Sequence, residues 1–213
     1  SVFNALTGLR QKVGNYPGIT VEKKTGRCSL NESTTADIID LPGTYSLNTT
    51  SLDESVAVEI LLNKKNTDYP DVIVVIAEVE NLKRNLLLFT QIKDLKIPTL
   101  LVINMADRMA KKGIEIDVET LEKEINTKVI LVSTRSETGI DELKTQLLNH
   151  QELNTEACTD ITAIDQAYFK QLKSTFSSFD SYKLWLLITQ DVNFMPIEKK
   201  PPLLKENLTS TKT

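Results

Sequence analysis

The chain is 213 residues long, with 40% hydrophobic residues, 25% charged residues and a formal net charge of −4. These values exclude a disordered chain and leave room for one α/β domain with a smaller appendage. Lys and Arg are scattered along the sequence, which together with the acidic balance argues against a nucleic-acid partner.

Cysteine and histidine usage excludes a zinc site. Cys28 and Cys158 share no short metal-like spacing and His150 is the only histidine, so four Cys/His ligands are not available. We expect both cysteines to be reduced thiols. No apolar run approaches the roughly 18 to 20 residues that cross a bilayer, and there is no signal-peptide pattern, so we expect a soluble fragment.

The first part of the chain is predicted to hold two helices and two strands. The pair Pro42-Gly43 ends the second strand. The Ser-x-x-Glu form of 51–54 is typical of a capping box at the start of a helix. The predicted elements are a helix over 1–9, strands over 20–25 and 36–41, and a helix after 51 that includes 56–62.

Three runs rich in β-branched and other apolar residues predict buried strands, and helical patterns separate them. Strands that alternate with helices imply right-handed crossovers and a mostly parallel sheet. We therefore predict a doubly wound α/β domain. The strands are predicted over 71–80, 97–104 and 128–133, and the helices over 86–95, 120–125 and 139–149.

After Asn149 the pattern changes to a small helical region followed by a polar tail. Apolar residues recur three or four positions apart, and 182–192 is a second apolar-rich helical segment. We predict a domain over 1–150, a helical subdomain over 151–197 and a linker or tail over 198–213. The recurring apolar residues are Ile161, Ile164, Tyr168, Leu172, Phe176 and Phe179.

Ligands bind beyond the carboxyl ends of the strands in such sheets, and three short motifs lie at these positions. The first motif is Asp40-Leu41-Pro42-Gly43. A carboxylate at a strand end can hold Mg²⁺ directly or through water, and a glycine lets its backbone N–H approach a terminal phosphate. The alternative is an ordinary Asp-x-Pro-Gly turn, which is the better interpretation of an isolated match.

The second motif, Asn104-Met105-Ala106-Asp107, directly follows a predicted buried strand. A carboxylate there can accept hydrogen bonds from the N1–H and the exocyclic amine of guanine, whereas adenine offers no matching pair of donors. The motif therefore favours GTP over ATP. The alternative is an Asn/Asp helix cap, which is common at strand-to-helix turns.

The third motif is Ser133-Thr134-Arg135, with Gly139 four residues further on. It also follows a predicted buried strand, and the backbone N–H groups of such a turn can bind the carbonyl oxygen of guanine. Taken alone, a serine or threonine loop that caps the next helix explains it better.

Together the three motifs occur in the order and at the sheet edge that guanine-nucleotide-binding proteins require. They resemble the G3, G4 and G5 motifs of translation-factor-like GTPases, so 1–150 resembles a P-loop GTPase-like G domain. Six stretches narrow the resemblance to the cytosolic G domain of the bacterial ferrous iron transport protein B (FeoB) family, and 152–195 is similar to the helical subdomain that follows it. The stretches are FNALTG, QKVGNYPGITVEKKTG, DLPGTYSL, SLDE, NLKRNL and NMAD.

The resemblance implies a GTPase module at the cytoplasmic face of the bacterial inner membrane that hydrolyses GTP to GDP and phosphate. Changes in its switch I and switch II segments would regulate or power Fe²⁺ uptake. The implied partners are a guanine nucleotide, a membrane-embedded iron-permeation domain of the same parent chain, and small accessory proteins of the iron transport system, with no nucleic acid.

The resemblance also assigns roles to individual residues. Thr20 and Asp40 would hold Mg²⁺, and Gly43 would meet the γ-phosphate of GTP. The backbone carbonyls of Gly14 and Tyr16 would bind K⁺. The remaining implied nucleotide-binding residues are Asn104, Met105, Asp107, Ser133, Thr134 and Arg135.

No catalytic side chain is assigned. Thr44 stands where Ras-like proteins carry a glutamine that orients water, so the resemblance implies slow hydrolysis assisted by K⁺. The Gly-Lys pair of a phosphate-binding loop does not occur in the sequence, and we expect that loop and a first strand immediately before Ser1. The alternatives are a nucleotide-free or non-catalytic interaction domain, and a related GTPase of ribosome or tRNA biology.

Overall fold

The computed structural model describes residues 1–8, 11–16, 21–44, 46–47, 52–177 and 180–189. The described strands are β1 Gln11–Asn15, β2 Glu22–Ser29, β3 Thr35–Asp40, β4 Ile73–Glu78, β5 Thr99–Asn104 and β6 Val129–Leu131. The described helices are α1 Val2–Thr7, α2 Leu52–Leu62, α3 Leu82–Lys93, α4 Met109–Lys112, α5 Val118–Ile125, α6 Ile140–Leu148, α7 Gln166–Thr175 and α8 Ser181–Thr189. Short 3₁₀ turns cover Val79–Asn81, Ala106–Arg108, His150–Glu152 and Ile161–Ala163.

The described strands form two sheets of three strands each. Strands β4, β5 and β6 are parallel, with β5 in the middle, which confirms the predicted α/β class with a parallel sheet. Strands β1, β2 and β3 form an antiparallel sheet. The sequence pattern does not predict β1, because its one large apolar residue, Val13, is 59% exposed and no alternation marks a buried face.

One hydrophobic cluster joins the two sheets. Leu100 and Val102 on β5 pack with Cys28 on β2, and α1 and α6 close the cluster with Leu6 and Leu143. Residues Leu100, Leu101, Val102 and Ile103 of β5 are all fully buried, as expected for a central parallel strand covered on both faces. The central strand therefore fixes the position of both its neighbours and the loop that follows it.

Several predicted element boundaries are wrong for local reasons. Ser1 itself starts α1, since its hydroxyl oxygen accepts a hydrogen bond from the N–H of Asn4 at 3.2 Å. The helix ends at Thr7 because Gly8 adopts a left-handed conformation with φ of 60°. Strand β2 runs to Ser29 rather than 25, because β3 pairs with it through the Thr35 position.

The region after 149 packs on the parallel-sheet half of the molecule. Ile161, Leu172 and Tyr182 belong to the same hydrophobic cluster as Phe89 on α3. The predicted apolar stripe is wrong at two positions, since Ile164 is 76% exposed and Tyr168 is also exposed. Ile164 follows a 3₁₀ turn and precedes the first turn of α7, so helical spacing from Ile161 is not maintained. Phe179, Ser51, and the predicted helix end and tail beyond 189 lie outside the described residues.

Two buried charges at the end of α3 hold the segment that leads into this region. Lys93 is 1% exposed, and its Nζ donates to the carbonyl oxygen of Asn154 at 2.7 Å. Asp94 is 3% exposed and accepts hydrogen bonds from the backbone N–H groups of Cys158 at 2.7 Å and Thr159 at 3.1 Å. Burial raises the pKa of the Asp94 carboxyl, while these hydrogen bonds and Lys93 oppose the rise. The 154–159 segment is therefore attached to the core through charged groups.

We predict that Asp94→Ala lowers the free energy of unfolding by about 3 kcal/mol, because it leaves the backbone N–H groups of Cys158 and Thr159 without their acceptor and removes one of the negative charges near the buried Lys93 ammonium. Urea denaturation at neutral pH measures the change. Asp71→Ala, at an exposed position, is the matched control and should change stability by less than about 0.5 kcal/mol. Equal stability of the two variants would contradict the role given to Asp94.

Candidate functional site

The carboxyl ends of β5 and β6 bring the second and third sequence motifs together. Asn104 is the last residue of β5, and Ala106 beyond it donates its backbone N–H to the carbonyl oxygen of Val132 at 3.1 Å. Met105 adopts a left-handed conformation with φ of 64°, which is uncommon for a residue with a long side chain. Strain of this kind concentrates at functional sites.

A direct hydrogen bond joins Asp107 to the third motif. The buried Ser133 hydroxyl donates to Oδ1 of Asp107 at 2.7 Å, and the N–H of Ser136 donates to the Ser133 hydroxyl oxygen at 3.3 Å. The Ser133 hydrogen bond is the main reason that the pKa of Asp107 is lowered, and Arg135 and Arg108 add to the effect. Asp107 is therefore held as a carboxylate, with Ser133 on Oδ1 and a further hydrogen bond from its own backbone N–H.

Asn104 carries a buried acceptor that the described residues leave unsatisfied. Its side-chain oxygen, Oδ1, is inaccessible to solvent and has no hydrogen-bond partner among them. Buried polar atoms are nearly always paired in folded proteins. A ligand that donates a hydrogen bond at this edge of the sheet would satisfy it, so the Asn104 and Asp107 side chains fit a bound nucleotide base.

The loop from Ser133 to Gly139 is compact. Ser133 and Thr138 exchange two backbone hydrogen bonds, at 3.1 and 3.2 Å. Gly139 has φ of 78°, and a Cβ at this position would lie 2.1 Å from the carbonyl oxygen of Leu131, so a larger residue would force the backbone to move. The tight turn leaves Thr134 partly exposed and Arg135 exposed, where they can contact a ligand.

The structure does not join the first motif to the other two. Asp40 ends β3 in the antiparallel sheet and is exposed, with no hydrogen bond or ion pair to another described residue. Gly43 has open space around it, so steric crowding gives no reason for a glycine there. Within the described ranges, no three His, Cys, Asp or Glu side chains come together to hold a metal ion. A single free carboxylate nevertheless fits Mg²⁺ bound to phosphates, since such ions take one or two carboxylates plus phosphate oxygens.

Two further predicted site residues, Gly14 and Tyr16, lie in or directly after β1. Gly14 lies in β1 opposite Lys23, and Tyr16 follows the strand with its side chain buried. Thr20 lies outside the described residues.

Sequence reasoning missed the residues that support the Asp107 loop. Glu80 accepts a hydrogen bond from Nη1 of Arg108 at 3.1 Å and lies 3.6 Å from Nζ of Lys112. The backbone N–H of Glu78 donates to Asn85 at 3.1 Å. These contacts tie the turn after β4 to the start of α4. The sequence carries no signal for them beyond the opposite charges of Glu80 and Arg108.

The fold is that of a P-loop GTPase G domain, as the similarity to solved G-domain structures reported below shows. A family model described as ferrous iron transport protein B matches residues 1–147. The chain therefore belongs to the ferrous iron transport protein B family.

Curated relatives and solved structures agree with this assignment. The Fe(2+) transporter FeoB of Leptospira biflexa is 41% identical over 152 residues, which cover 71% of this chain and 21% of the relative. The Fe(2+) transporter FeoB of Escherichia coli (strain K12) is 42% identical over 149 residues, covering 68% of this chain and 18% of the relative. The chain thus spans about a fifth of the length of these relatives.

Two solved cytosolic domains have the same fold. That of T. maritima FeoB in its GMPPNP form has a TM-score of 0.74 at 30% identity, covering 87% of this chain and 73% of that one. That of L. pneumophila FeoB has a TM-score of 0.74 at 32% identity, covering 87% of this chain and 78% of that one. In this chain, no described helix has the length and apolar character needed to cross a bilayer.

We predict that Ser133→Ala raises the pKa of Asp107, because it removes the largest cause of its lowering. In an acid titration the carboxylate of the variant would be protonated at a higher pH than that of the wild type. A ligand that needs the negative charge would therefore dissociate at a higher pH. The ¹³C chemical shift of the Asp107 carboxyl measures the pKa. Ser136→Ala, which keeps the backbone donor to Ser133, should leave it unchanged, and an unshifted pKa in Ser133→Ala would contradict the assignment.

Proposed function

We propose that this chain binds GTP with Mg²⁺ and hydrolyses it to GDP, as the nucleotide-binding part of a ferrous iron transporter. The observation that carries the proposal is the hydrogen bond from Ser133 to Asp107 beside the unsatisfied oxygen of Asn104. This arrangement presents a fixed carboxylate and a buried acceptor at the ligand-binding edge of a parallel sheet.

The guanine base is read by Asp107. One carboxylate oxygen is held by Ser133, so the carboxylate is oriented before the ligand arrives, and its other oxygen accepts hydrogen bonds from the N1–H and exocyclic amine of guanine. Adenine has no such pair of donors, so ATP leaves the carboxylate unpaired, at a cost in binding. Met105, Thr134 and Arg135 lie around the base.

The phosphates lie toward the first motif and the β1–β2 hairpin. In the GTP state Asp40 and Thr20 hold Mg²⁺, and the backbone N–H of Gly43 meets the γ-phosphate. The ion neutralises charge on the phosphate oxygens. The carbonyl oxygens of Gly14 and Tyr16 bind K⁺, which assists slow hydrolysis because Thr44 cannot orient water as a glutamine does.

Nucleotide state controls iron passage in the parent transporter. We infer a G domain over 1–150, a helical subdomain over 151–197 and a linker or tail over 198–213, and a membrane-embedded permeation domain as part of the parent transporter. The module lies at the cytoplasmic face of the inner membrane, where small accessory proteins of the transport system can reach it. Fe²⁺ is the cargo of the permeation domain.

We expect Asp107→Asn to lower the affinity for GDP roughly 10- to 100-fold, the range for losing hydrogen bonds to a charged group. The variant should bind xanthosine diphosphate more tightly than the wild type, because an amide can donate to the second carbonyl of xanthine. Competition against fluorescent GDP measures both affinities.

Asp117→Asn is the matched control, since Asp117 caps α5 and asparagine caps a helix as well. This control should bind both nucleotides like the wild type. If Asp107→Asn kept the wild-type preference for guanine nucleotides, Asp107 would not be the residue that recognises the base.

A second candidate is a non-catalytic interaction domain, favoured by Thr44 after Gly43, where Ras-like proteins carry a glutamine that orients water. Binding of fluorescent GDP distinguishes this candidate from the GTPase. It is measured for the 213-residue chain and for a form extended at its N-terminus by a strand and a Gly-x-x-x-x-Gly-Lys-Ser/Thr loop. We expect the extended form to bind GDP at least about tenfold more tightly, because the loop amides and lysine hold the phosphates. Failure of the extended form to bind GDP would exclude the enzyme.

A further inference from the structure

Tyr16 lies in a small hydrophobic cluster between the β1–β2 hairpin and α2. Its side chain is 5% exposed and packs with Val21, Val56 and Ile60, while its backbone N–H donates to the carbonyl oxygen of Val21 at 3.0 Å. Val56 and Ile60 both lie on α2. The ring therefore joins the hairpin to the helix that follows the Asp40–Gly43 motif.

The hydroxyl group of Tyr16 is buried without a partner. Its oxygen is inaccessible to solvent and makes no hydrogen bond within the described ranges. Burial, followed by the charges of Asp68 and Asp40, raises the pKa of the phenol to about 12. The phenol is therefore uncharged at neutral pH and can donate a hydrogen bond. A buried donor without an acceptor among the described residues lowers the stability of the folded protein.

Asp68 is already paired. Lys23 forms an ion pair with its carboxylate, and Nζ of Lys23 lies 5.5 Å from the centroid of the Tyr16 ring. Asp40, the other carboxylate that acts on the phenol, has no partner among the described residues. Leu41, the residue after Asp40, packs against the same hydrophobic cluster as Tyr16, so the ring lies next to the Asp40–Gly43 motif.

Among the described residues, the buried side-chain polar atoms without a partner are the Tyr16 hydroxyl and Oδ1 of Asn104. Asn104 lies at the base end of the proposed nucleotide site, and Tyr16 lies toward the Asp40 end. Since a native structure rarely leaves such atoms unpaired, each is a candidate for a hydrogen bond to a bound ligand.

We propose that Tyr16 is a positioning residue of the nucleotide site, whose hydroxyl donates a hydrogen bond to an oxygen that arrives with the magnesium-bound triphosphate near Asp40. This inference rests on the proposed function. Because the ring stays packed on Val56 and Ile60, the same bond fastens the hairpin to α2 when the triphosphate is bound.

The test is Tyr16→Phe, which keeps the ring and removes the hydroxyl, in the N-terminally extended form that carries the phosphate-binding loop. Without nucleotide, the variant should unfold at a higher urea concentration than the wild type, because an unsatisfied buried hydroxyl is gone. Its dissociation constant for a non-hydrolysable GTP analogue with Mg²⁺ should rise roughly 5- to 10-fold, the effect of one hydrogen bond. Tyr69→Phe is the matched control and should keep wild-type affinity. Tyr69 is half-buried, its pKa is raised by burial, and its ring lies against Nζ of Lys183.

Comparing ligands locates the acceptor. Weakened binding of the Mg²⁺ triphosphate analogue with unchanged binding of Mg²⁺·GDP assigns the acceptor to the triphosphate and supports the proposal, whereas equal weakening of both would contradict it. A less stable nucleotide-free Tyr16→Phe, or wild-type affinity for the analogue, would overturn it. If the wild type and Tyr16→Phe bound the analogue with equal affinity, only the role of Tyr16 would be contradicted. If the wild type did not bind the analogue, the proposed function would be contradicted as well.

Discussion

The parallel pairing of β5 with β6 is the constraint on which the site depends. In-register pairing of Ile103 with Leu131 brings the residues after both strands to one edge. The hydrogen bond from Ala106 to Val132 and that from Ser133 to Asp107 both follow from this alignment. A shift of one residue would exchange the side chains that β5 packs into the two hydrophobic clusters on its opposite faces, so the packing of the central strand maintains the site.

The rest of the molecule is arranged around this edge. One hydrophobic cluster joins the antiparallel sheet to the parallel one through α1 and α6, so Asp40 is carried on the same body as Asp107. Helix α3 starts beside the Glu80 turn that supports the Asp107 loop and ends at the buried charges of Lys93 and Asp94. A single helix thus runs from the Asp107 loop to the region after 149.

Sequence reasoning could predict the central strands, because runs of β-branched residues bounded by turn residues have few other stable environments. It could also predict that Asn104 and Asp107 would meet the Ser133 loop, since strand ends of a parallel sheet lie together. It could not predict β1, whose polar residues are held by cross-strand backbone hydrogen bonds. Nor could it predict the exposure of Ile164, because a 3₁₀ turn over Ile161–Ala163 interrupts the helical spacing. The position of such a turn depends on local capping hydrogen bonds and not on the spacing of apolar residues.

The buried Tyr16 hydroxyl, which has no hydrogen-bond partner among the described residues, and the buried charges of Lys93 and Asp94 could not be predicted from the sequence either. Each depends on contacts between segments that are distant along the chain, and no short motif specifies them. The Ser133 contact is intermediate, because the motif places the residue but only the structure shows that its hydroxyl holds the Asp107 carboxylate.

The most direct test of the central claim is a crystal structure of the N-terminally extended chain with bound GDP, in which the distances from the guanine N1 and exocyclic amine to the Asp107 carboxylate are measured. The account predicts hydrogen-bond distances from both nitrogens to Asp107, with the Ser133 hydroxyl still bound to the same carboxylate and the side-chain oxygen of Asn104 paired. A guanine bound elsewhere, or a nucleotide whose base does not contact Asp107, would contradict it.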